Sequence, residues 1–391
     1  MPAAARKPLR IFVVAGEESG DQLGFKLIRA LREARPGGVE FAGVGGAAMA
    51  AEGLKSLFPL SDIAVMGFVA PLLRLPTLLQ RIGEAARACV TFAPDVLVIV
   101  DSPDFTHRVA RRVRRALPRL PIVDYVSPSV WAWRPGRARR MRAYVDEVLA
   151  LLPFEPDAYR RLGGPACTYV GHPLVERLDE LRGVAQEQRM RDASPPLLLV
   201  LPGSRRSEID RLMPVFGAAL ALLRDRFGPF EVALPAVDRH AARIETLARH
   251  WRIRPQLLHG DPAKFAAFRQ ARAALAASGT VTLELALARV PTVVAYRLAG
   301  WELMIARRLI AVQSIVLPNL ILNEKAVPEF IQDDGTPDAL AAALSPLLQD
   351  GAERAKQLSA FSRLDPLMRP AGLVEPSTGA ANRVLSHAEK D

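Results

Sequence analysis

Glycine, carboxylate and hydroxyl groups cluster directly after short aliphatic runs of this chain. The first such loop, AGEESGD at residues 15–21, contains Glu17, Ser19 and Asp21. Its flanking glycines permit a tight turn and close backbone approach to an anionic or hydroxyl-rich ligand at a helix N-terminus. The alternative is a structural turn capped by Ser19 or Asp21. The spacing leaves both interpretations open.

The loop VDSPDF, at residues 100–105, supplies the best candidate for a general base. Asp101 follows the aliphatic run 96–100 directly. A carboxylate at the C-terminal end of a strand faces the ligand-binding edge of a sheet, and partial desolvation suits it to accept a proton. Asp104 stands where a helix N-cap is expected. The alternative is that both aspartates only shape the turn.

Two further segments contain candidate ligand contacts: an aromatic loop with hydroxyl groups, and a turn with a histidine. In YVSPSVWAWR, residues 125–134, Ser127 and Trp133 suit contact with a sugar or an acyl chain, because an aromatic face packs against C–H surface. The tryptophans of this loop are equally suited to a core or an interface. His172, in a Gly-His-Pro turn between the halves of the chain, has either a structural role or a role in a ligand cleft.

The second half of the chain carries the most specific pattern, LPGSRRSE at residues 201–208. Backbone amides at a helix N-terminus and an arginine fork together predict a diphosphate cradle, formed by Gly203, Ser204 and Arg205. The GxxxxGK[ST] spacing of a P-loop is absent. A similar strand, glycine turn and helix recur at residues 277–284, with candidate ligand contacts at Ser278, Gly279, Thr280 and Glu284. The alternatives are a basic helix start in the first case and simple capping in the second.

Metal-ligating patterns are missing from the sequence. The 6 histidines are scattered, no HExxH occurs, and the 2 cysteines do not form a CxxC pair. No acidic pair stands where a metal–diphosphate complex is expected. We therefore predict metal-independent chemistry, and the two widely separated cysteines favour a reducing compartment.

These loops require an α/β scaffold to bring them together. Aliphatic runs alternate with amphipathic stretches, which predicts parallel sheets covered by helices on both faces. The strand pattern restarts after the turn at 171–173, so we predict two doubly wound halves, with a Pro- and Gly-rich tail and a last helix at 365–391. The predicted strands lie at 11–15, 41–44, 96–100, 122–126, 148–152, 197–201, 231–235, 256–258, 273–277 and 292–295.

The charge balance favours anionic partners. The chain of 391 residues has 52 basic and 41 acidic side chains, for a net charge of +11. Nucleic acid, a phospholipid surface and a phosphorylated substrate all fit such a balance. No uncharged apolar stretch reaches the roughly 18–20 residues that a membrane-spanning helix needs.

Taken in order, the motifs resemble those of lipid-A-disaccharide synthases over about residues 10–350. Ten blocks stand in register: AGEESGD, GVGG, MGF, PDVLVIVDSPDF, YVSPSVWAWR, LPFE, YVGHPL, LPGSR, ASGTVTLE and LPN. The resemblance implies a GT-B glycosyltransferase, an α/β protein with two Rossmann-like domains facing across a cleft. It assigns 1–172, completed by the helix within 365–391, to the acceptor and membrane side, and 173–364 to the UDP-sugar donor.

The resemblance also implies a reaction without cofactors. UDP-2,3-diacylglucosamine is joined to 2,3-diacylglucosamine 1-phosphate, giving the β-1,6-linked disaccharide 1-phosphate and UDP. Asp101 matches the essential aspartate of the family, as base, and Arg205 matches its essential arginine. Asn319 of LPN and Glu284 are implied to contact the donor. Glu18 departs from the pattern, since the family more often has a small residue there.

Acylated substrates imply an enzyme that binds the cytoplasmic face of a Gram-negative inner membrane peripherally. The segment 63–79 is apolar with few charges, and we predict membrane contact by Met66, Phe68, Val69, Leu72 and Leu73. The alternative is an ordinary buried helix.

Two other functions compete with this one. The same fold could serve another UDP-sugar reaction, such as N-acetylglucosaminyl transfer or 2-epimerisation. A basic nucleic-acid-binding protein fits the charge alone, but no RRM, KH or helix-turn-helix signature occurs, so no specific nucleic acid is predicted.

Overall fold

Strands and helices alternate throughout the computed structural model, which describes residues 7–36, 38–63, 70–298, 314–370, 372 and 374–389. The chain divides into two compact units. Unit 1 comprises Met1–Pro173 and Met368–Asp391, and unit 2 comprises Leu174–Leu367.

Unit 1 is built on one sheet of six parallel strands. Its elements are β1 Leu9–Ala15, α1 Glu18–Ala34, β2 Val39–Val44, α2 Ala47–Ala51, α3 Ala70–Phe92, β3 Val96–Val100, α4 Pro103–Ala116, β4 Ile122–Tyr125, α5 Gly136–Met141, β5 Glu147–Ala150, α6 Glu155–Leu162 and β6 Ala166–Tyr169. The strand order is β2-β1-β3-β4-β5-β6. In register, Ala15 at the end of β1 pairs with Val100 at the end of β3.

The core of unit 1 lies on both faces of this sheet. Alternate residues of β1 point to opposite sides, so Ile11 and Phe12 belong to different buried clusters. Such two-sided burial explains why β1 and β3 read as continuous aliphatic runs.

The C-terminal helix of the chain belongs to unit 1, where it packs against α1. Its side chains Arg383 and His387 bind the buried carboxylate of Glu147, with distances of 2.7 and 2.6 Å. Burial opposes ionisation of Glu147, but hydrogen bonds from His387, Arg383 and Thr168 outweigh it and lower its pKa to about 2. An ion pair thus fixes this helix to the sheet.

Unit 2 repeats the plan with a second six-stranded parallel sheet. Its elements are α7 Leu178–Leu181, α8 Ala185–Arg189, β7 Leu197–Leu201, α9 Arg206–Phe227, β8 Glu231–Ala236, α10 Ala241–Ala248, β9 Gln256–His259, α11 Gly260–Gln270, β10 Ala273–Ala277, α12 Thr280–Leu287, β11 Thr292–Tyr296, α13 Leu317–Leu322, β12 Glu329–Ile331, α14 Pro337–Leu348, α15 Ala352–Ser362 and α16 Leu364–Leu367. The C-terminal helix, which belongs to unit 1, is α17 Pro376–Ala388. The strand order is β12-β11-β10-β7-β8-β9.

The predicted α/β class with two doubly wound parallel sheets is confirmed. Three central strands, β3, β7 and β10, have the predicted bounds. Two strands were not predicted, β6 and β12, and both lie at sheet edges. Edge strands pair on one side only, so they need neither the length nor the aliphatic run of a central strand.

Candidate active site

In unit 1, the two loops with the predicted acceptor-side residues leave the sheet side by side. The chain runs from β1 outward to β2 and then returns to β3 on the other side of β1. The gap between β1 and β3 is therefore the point where the strand order reverses, and ligands of open α/β sheets bind outside the carboxyl ends of the strands there. Asp101 lies at this point, immediately after β3.

Asp101 is held by its neighbours. Ser19 donates its hydroxyl hydrogen to Asp101 Oδ2 at 3.0 Å, and the amide of Ser102 donates to Oδ1 at 2.7 Å. Thr106 donates to the carbonyl oxygen of Asp101 at 2.7 Å. The structure thus brings together two predicted residues, Ser19 and Asp101, that are 82 positions apart in sequence.

The backbone at Asp101 is strained. Asp101 and Ser102 both adopt left-handed conformations, with φ of 55° and 46°. Such residues cost of order 1–3 kcal/mol each and persist where the surroundings over-determine them, which is common at catalytic sites. The facing turn needs glycine, because a Cβ at Gly16 would lie 2.3 Å from the Cβ of Ser102. Close packing of the two turns therefore fixes the carboxylate.

Asp21 has a structural role, because its carboxylate binds backbone amides of unit 1. Its carboxylate accepts the amides of Gly46, Ala48 and Met49 at 2.7, 2.9 and 3.1 Å. It thereby caps the N-terminus of α2 and ties the loop after β2 to α1. Glu17 is exposed at the N-cap position of α1 and makes no side-chain capping bond there.

The aromatic loop after β4 divides into a buried and an exposed part. Ser127 is buried and its hydroxyl contacts the hydroxyl of Tyr159 at 3.1 Å. Trp133 is 39% exposed, with the guanidinium of Arg134 stacked 4.3 Å from its ring centroid. Of these two predicted cleft residues, Trp133 is therefore the one accessible to a ligand.

Glu155, which sequence reasoning left without a role, anchors this loop. The buried carboxylate accepts the indole N–H of Trp131 and the amide of Leu152, both at 2.9 Å. Burial raises the pKa of Glu155 to about 7, although these hydrogen bonds favour the ionised form. Glu155 lies in the LPFE block, at the first residue of α6, and its burial appeared only in the structure.

His172 is buried and electrically neutral at ordinary pH. Burial and the nearby charge of Lys26 lower its pKa to about 4. Its amide donates to the carbonyl of Met368 at 3.2 Å, where the chain returns to unit 1. Gly171 beside it has a φ of 90°, and a Cβ there would lie 2.7 Å from Pro370.

In unit 2, the predicted donor loops also meet where the strand order reverses. That point lies between β7 and β10, which are hydrogen-bonded neighbours, and the loops after both strands carry the predicted residues. The side chain of Arg205 is 72% exposed and contacts Glu208 at 2.9 Å. The buried Glu208 also accepts the amides of Ser204 and Arg205, both at 3.2 Å.

Glu208 thus corrects one detail of the predicted diphosphate cradle. Its carboxylate accepts the amide of Ser204, which was expected to face a phosphate, together with the amide of Arg205, and a Cβ at Gly203 would lie 2.5 Å from it. What the loop presents is the Arg205 guanidinium, on a turn that Gly203 forms with a φ of 106°.

The second donor loop has an open helix N-terminus. Gly279 is the N-cap of α12, with a φ of 151° and no side-chain cap, and a Cβ there would find no described atom within 4 Å. The amides of the first turn, beginning with Thr280, can therefore receive an anion. Ser278 instead donates its hydroxyl to the carbonyl of Ile315 at 2.6 Å.

Two predicted donor contacts are engaged within unit 2. Glu284 pairs with Lys264 at 2.6 Å. The buried amide of Asn319 donates to the carbonyl of Val327 at 2.9 Å and accepts its amide at 2.8 Å, which closes the turn after α13. Both side chains therefore organise the loops around the site.

The comparisons identify the family. A sequence model described as Lipid-A-disaccharide synthetase matches residues 11–369 of the chain. The lipid-A-disaccharide synthase of Nitrobacter hamburgensis is 55% identical over 389 residues, which cover 99% of this chain and 98% of that one. The chain belongs to the lipid-A-disaccharide synthase family. That of Nitrobacter winogradskyi, also 55% identical, covers 98% of this chain and 96% of its own. This member of the lipid-A-disaccharide synthase family is thus a glycosyltransferase, as predicted.

Solved structures of low identity share the fold of this lipid-A-disaccharide synthase family member. A putative UDP-N-acetylglucosamine 2-epimerase from Listeria monocytogenes has a TM-score of 0.62 at 13% identity, covering 97% of this chain and 95% of its own. MurG of Acinetobacter baumannii has a TM-score of 0.58 at 15% identity, covering 97% and 100%. Both agree with the predicted GT-B class.

Within the described ranges, no group of three or more His, Cys, Asp or Glu side chains could hold a metal ion. No helix in that part of the chain is long and apolar enough to cross a bilayer.

Of the predicted membrane contacts, Met66, Phe68 and Val69 lie outside the described residues. Leu72 and Leu73 belong to the first turns of α3.

Proposed function

We propose that the chain joins UDP-2,3-diacylglucosamine to 2,3-diacylglucosamine 1-phosphate, giving the β-1,6-linked disaccharide 1-phosphate and UDP. One observation carries the assignment of residues. In each unit, the reversal of strand order coincides with the charged group that the reaction needs, Asp101 in unit 1 and Arg205 in unit 2.

Asp101 is assigned to acceptor activation. In this proposal its carboxylate accepts the proton of the acceptor hydroxyl as the oxygen attacks the anomeric carbon, which inverts the configuration there. The hydrogen bonds from Ser19 and Ser102 orient the carboxylate, and the strained turn fixes its position. A positioned base contributes about 10²–10⁴-fold to such a step.

Unit 2 is assigned to the leaving group. As the glycosidic bond of the donor breaks, negative charge develops on the diphosphate of UDP. The Arg205 guanidinium and the open N-terminus of α12 at Gly279 and Thr280 supply positive charge and N–H donors for it. Glu208, Ser278, Glu284 and Asn319 hold the surrounding loops in place.

The test is formation of labelled disaccharide from the two acylated monosaccharides, followed by thin-layer chromatography with a chelator present. Turnover with the diacylated pair and none with unacylated UDP-glucosamine derivatives is expected. Preference for an unacylated donor, or epimerisation of it, would instead favour the competing UDP-sugar reactions.

Peripheral binding to the cytoplasmic face of the inner membrane forms part of the proposal. Leu75 and Leu79, one turn apart on α3, are 41% and 42% exposed, which fits an apolar stripe on the helix. Changing Leu72 and Leu73 to glutamate should weaken sedimentation with anionic vesicles by about 10-fold or more. A Leu222→Glu/Leu367→Glu variant, altered at exposed leucines of unit 2, is the matched control. Equal binding by both variants would contradict membrane contact through this segment.

A further inference from the structure

Unit 2 contains a strongly basic cavity that the reaction does not use. It has a volume of about 480 Å³ and is lined by Arg182, Arg189, Arg191, Asp192, Arg289 and Arg354, with two alanines. We call it the basic cavity. Its size falls within the range of small-ligand sites.

The basic cavity lies at the opposite edge of the sheet from the proposed donor loops. Arg191 and Asp192 precede β7, and Arg289 follows α12 before β11 begins. Arg354 donates to the carbonyl of Arg272, the residue directly before β10. These positions mark the amino ends of the strands, whereas Arg205 and Gly279 follow the carboxyl ends.

Much of the hydrogen bonding around the cavity goes to backbone carbonyls. Arg191 donates to the carbonyls of Phe268, Arg269, Ala288 and Arg289 at 2.7–3.2 Å, so it joins the C-terminal ends of α11 and α12. Carbonyl groups satisfy these donors, and helix ends stabilise the cations, but neither removes net charge.

Carboxylates neutralise only part of this charge. Asp365 bridges Arg182 and Arg289, while the exposed Asp192 and Asp350 both contact Arg272. The cluster comprises six arginines, the five of the cavity and Arg272, against these three aspartates. Burial, reinforced by neighbouring arginines, lowers the pKa of both Arg191 and Arg354 to about 10.

Two arginines of the basic cavity retain capacity to bind an anion. Arg289 lines the cavity with a side chain that is 43% exposed, and its Nη2 contacts Asp365 at 3.1 Å. Arg189 is exposed beside it on the cavity lining.

We propose that the basic cavity binds a phosphate group at a site separate from the UDP-sugar loops. Planar guanidinium forks match phosphate oxygens in pairs, and several arginines converge here around an excess of positive charge. The group can belong to a soluble polyphosphate anion or to the headgroup of an anionic lipid.

The first test is titration calorimetry with inorganic diphosphate at constant ionic strength and with saturating UDP. An Arg189→Gln/Arg289→Gln variant should bind diphosphate at least ~10-fold more weakly than the unaltered chain, the effect of about 1.4 kcal/mol of lost charge-assisted hydrogen bonding. Its affinity for UDP should not change.

The matched control is Arg249→Gln/Arg252→Gln, which removes the same charge from exposed side chains near the end of α10. It should bind diphosphate within about 2-fold of the unaltered chain, since screened surface charges contribute little. Equal weakening in both variants, or loss of the diphosphate signal when UDP is present, would overturn the proposal. If the double variant does not fold, Arg189→Gln alone should weaken binding about 3-fold or more.

The second test separates the two sources of phosphate. Vesicles of phosphatidylglycerol and phosphatidylcholine are compared with vesicles of phosphatidylcholine alone. Loss of phosphatidylglycerol binding in the cavity variant but not in the control assigns the site to a lipid headgroup. Loss of diphosphate binding with unchanged vesicle binding assigns it to a soluble anion. If neither changes, the proposal is wrong.

Discussion

The carboxyl edges of the two sheets carry groups of opposite charge, a carboxylate in unit 1 and a guanidinium in unit 2. In unit 1, the turn after β3 holds a carboxylate through a side-chain hydrogen bond, a backbone amide and two left-handed residues. In unit 2, the loops after β7 and β10 present an exposed guanidinium and the uncapped first turn of α12. One edge restrains a single anionic group, whereas the other leaves cationic and N–H groups exposed for an anion.

This difference matches what each partner of a glycosyl transfer needs. A base must be held in place before the acceptor arrives, because proton transfer depends on a short, well-directed contact. A diphosphate site can instead be completed by its ligand, which brings the negative charge that orders an arginine.

Replacing Asp101 by asparagine should have the largest effect. Asparagine preserves the size of the side chain but cannot accept the proton, so turnover should fall at least ~100-fold while folding and UDP affinity remain. Initial-rate kinetics with both acylated substrates measure the loss.

Asp104→Asn is the control for this variant. It removes the same charge three positions away, from a side chain that is 80% exposed and contacts Arg137 at 3.3 Å. We expect its turnover to stay within about 2-fold of the unaltered chain. Near-normal turnover in Asp101→Asn would remove Asp101 from the role of base.

Arg205→Gln tests the carboxyl edge of the unit 2 sheet. Loss of charge-assisted hydrogen bonds to the diphosphate should lower kcat/KM by about 10–100-fold and weaken UDP binding by about 10-fold. Arg206→Gln is the control, since it removes the adjacent charge from a side chain that is 74% exposed and contacts Asp210 at 3.6 Å. Equal losses in the two variants would show that general electrostatics, rather than the position of Arg205, governs donor binding.

Ser19→Ala should act through Asp101 and have a smaller effect. Without the hydroxyl at 3.0 Å, the carboxylate keeps its charge but loses one restraint, so we expect kcat to fall by about 10-fold with little change in either KM. Ser19→Thr retains the hydroxyl and should restore most of the rate. A change in UDP affinity without a change in kcat would refute this positioning role.

The sequence predicted where chemistry-bearing loops leave the sheets, because aliphatic runs mark buried parallel strands and their carboxyl ends meet at one edge. The α/β class and three central strands followed from the same signal. The weaker edge strands β6, with the sequence ACTY, and β12, with EFI, did not, because their pairing depends on a neighbouring strand already in place.

The partners of individual side chains could not be predicted in this way. Asp21 bonds to amides 25–28 positions away, and Ser278 bonds to the carbonyl of Ile315, 37 positions away. Each hydrogen-bond partner is determined by how separate elements pack together, so local sequence does not predict it. Ser19 and Asp101 were predicted in separate loops, and their direct hydrogen bond appeared only in the structure.

Glu155 is expected to affect stability, since its buried carboxylate accepts the indole N–H of Trp131 in the aromatic loop of unit 1. Because its pKa is raised to about 7 from the ordinary glutamate value of 4.5, the folded state binds more protons than the unfolded state between those values. Its contribution to stability is therefore fully present below about pH 4.5 and is lost as the pH rises through 7, by up to about 3 kcal/mol.

Glu155→Gln removes this ionisation, so the difference in unfolding free energy between the unaltered chain and the variant should change with pH in that window and level off above it. Denaturant unfolding at pH 5, 6, 7 and 8 measures the difference, and any constant offset from altered hydrogen bonding to Trp131 cancels in the comparison. Glu245→Gln, at an exposed glutamate paired with Arg249, should show no such pH-dependent difference. A constant difference for Glu155→Gln across the range would mean that this carboxylate stays ionised when buried. In that case its bonds to Trp131 and Leu152 would hold the loop at every pH tested, and this loop of unit 1 would be insensitive to protonation of Glu155.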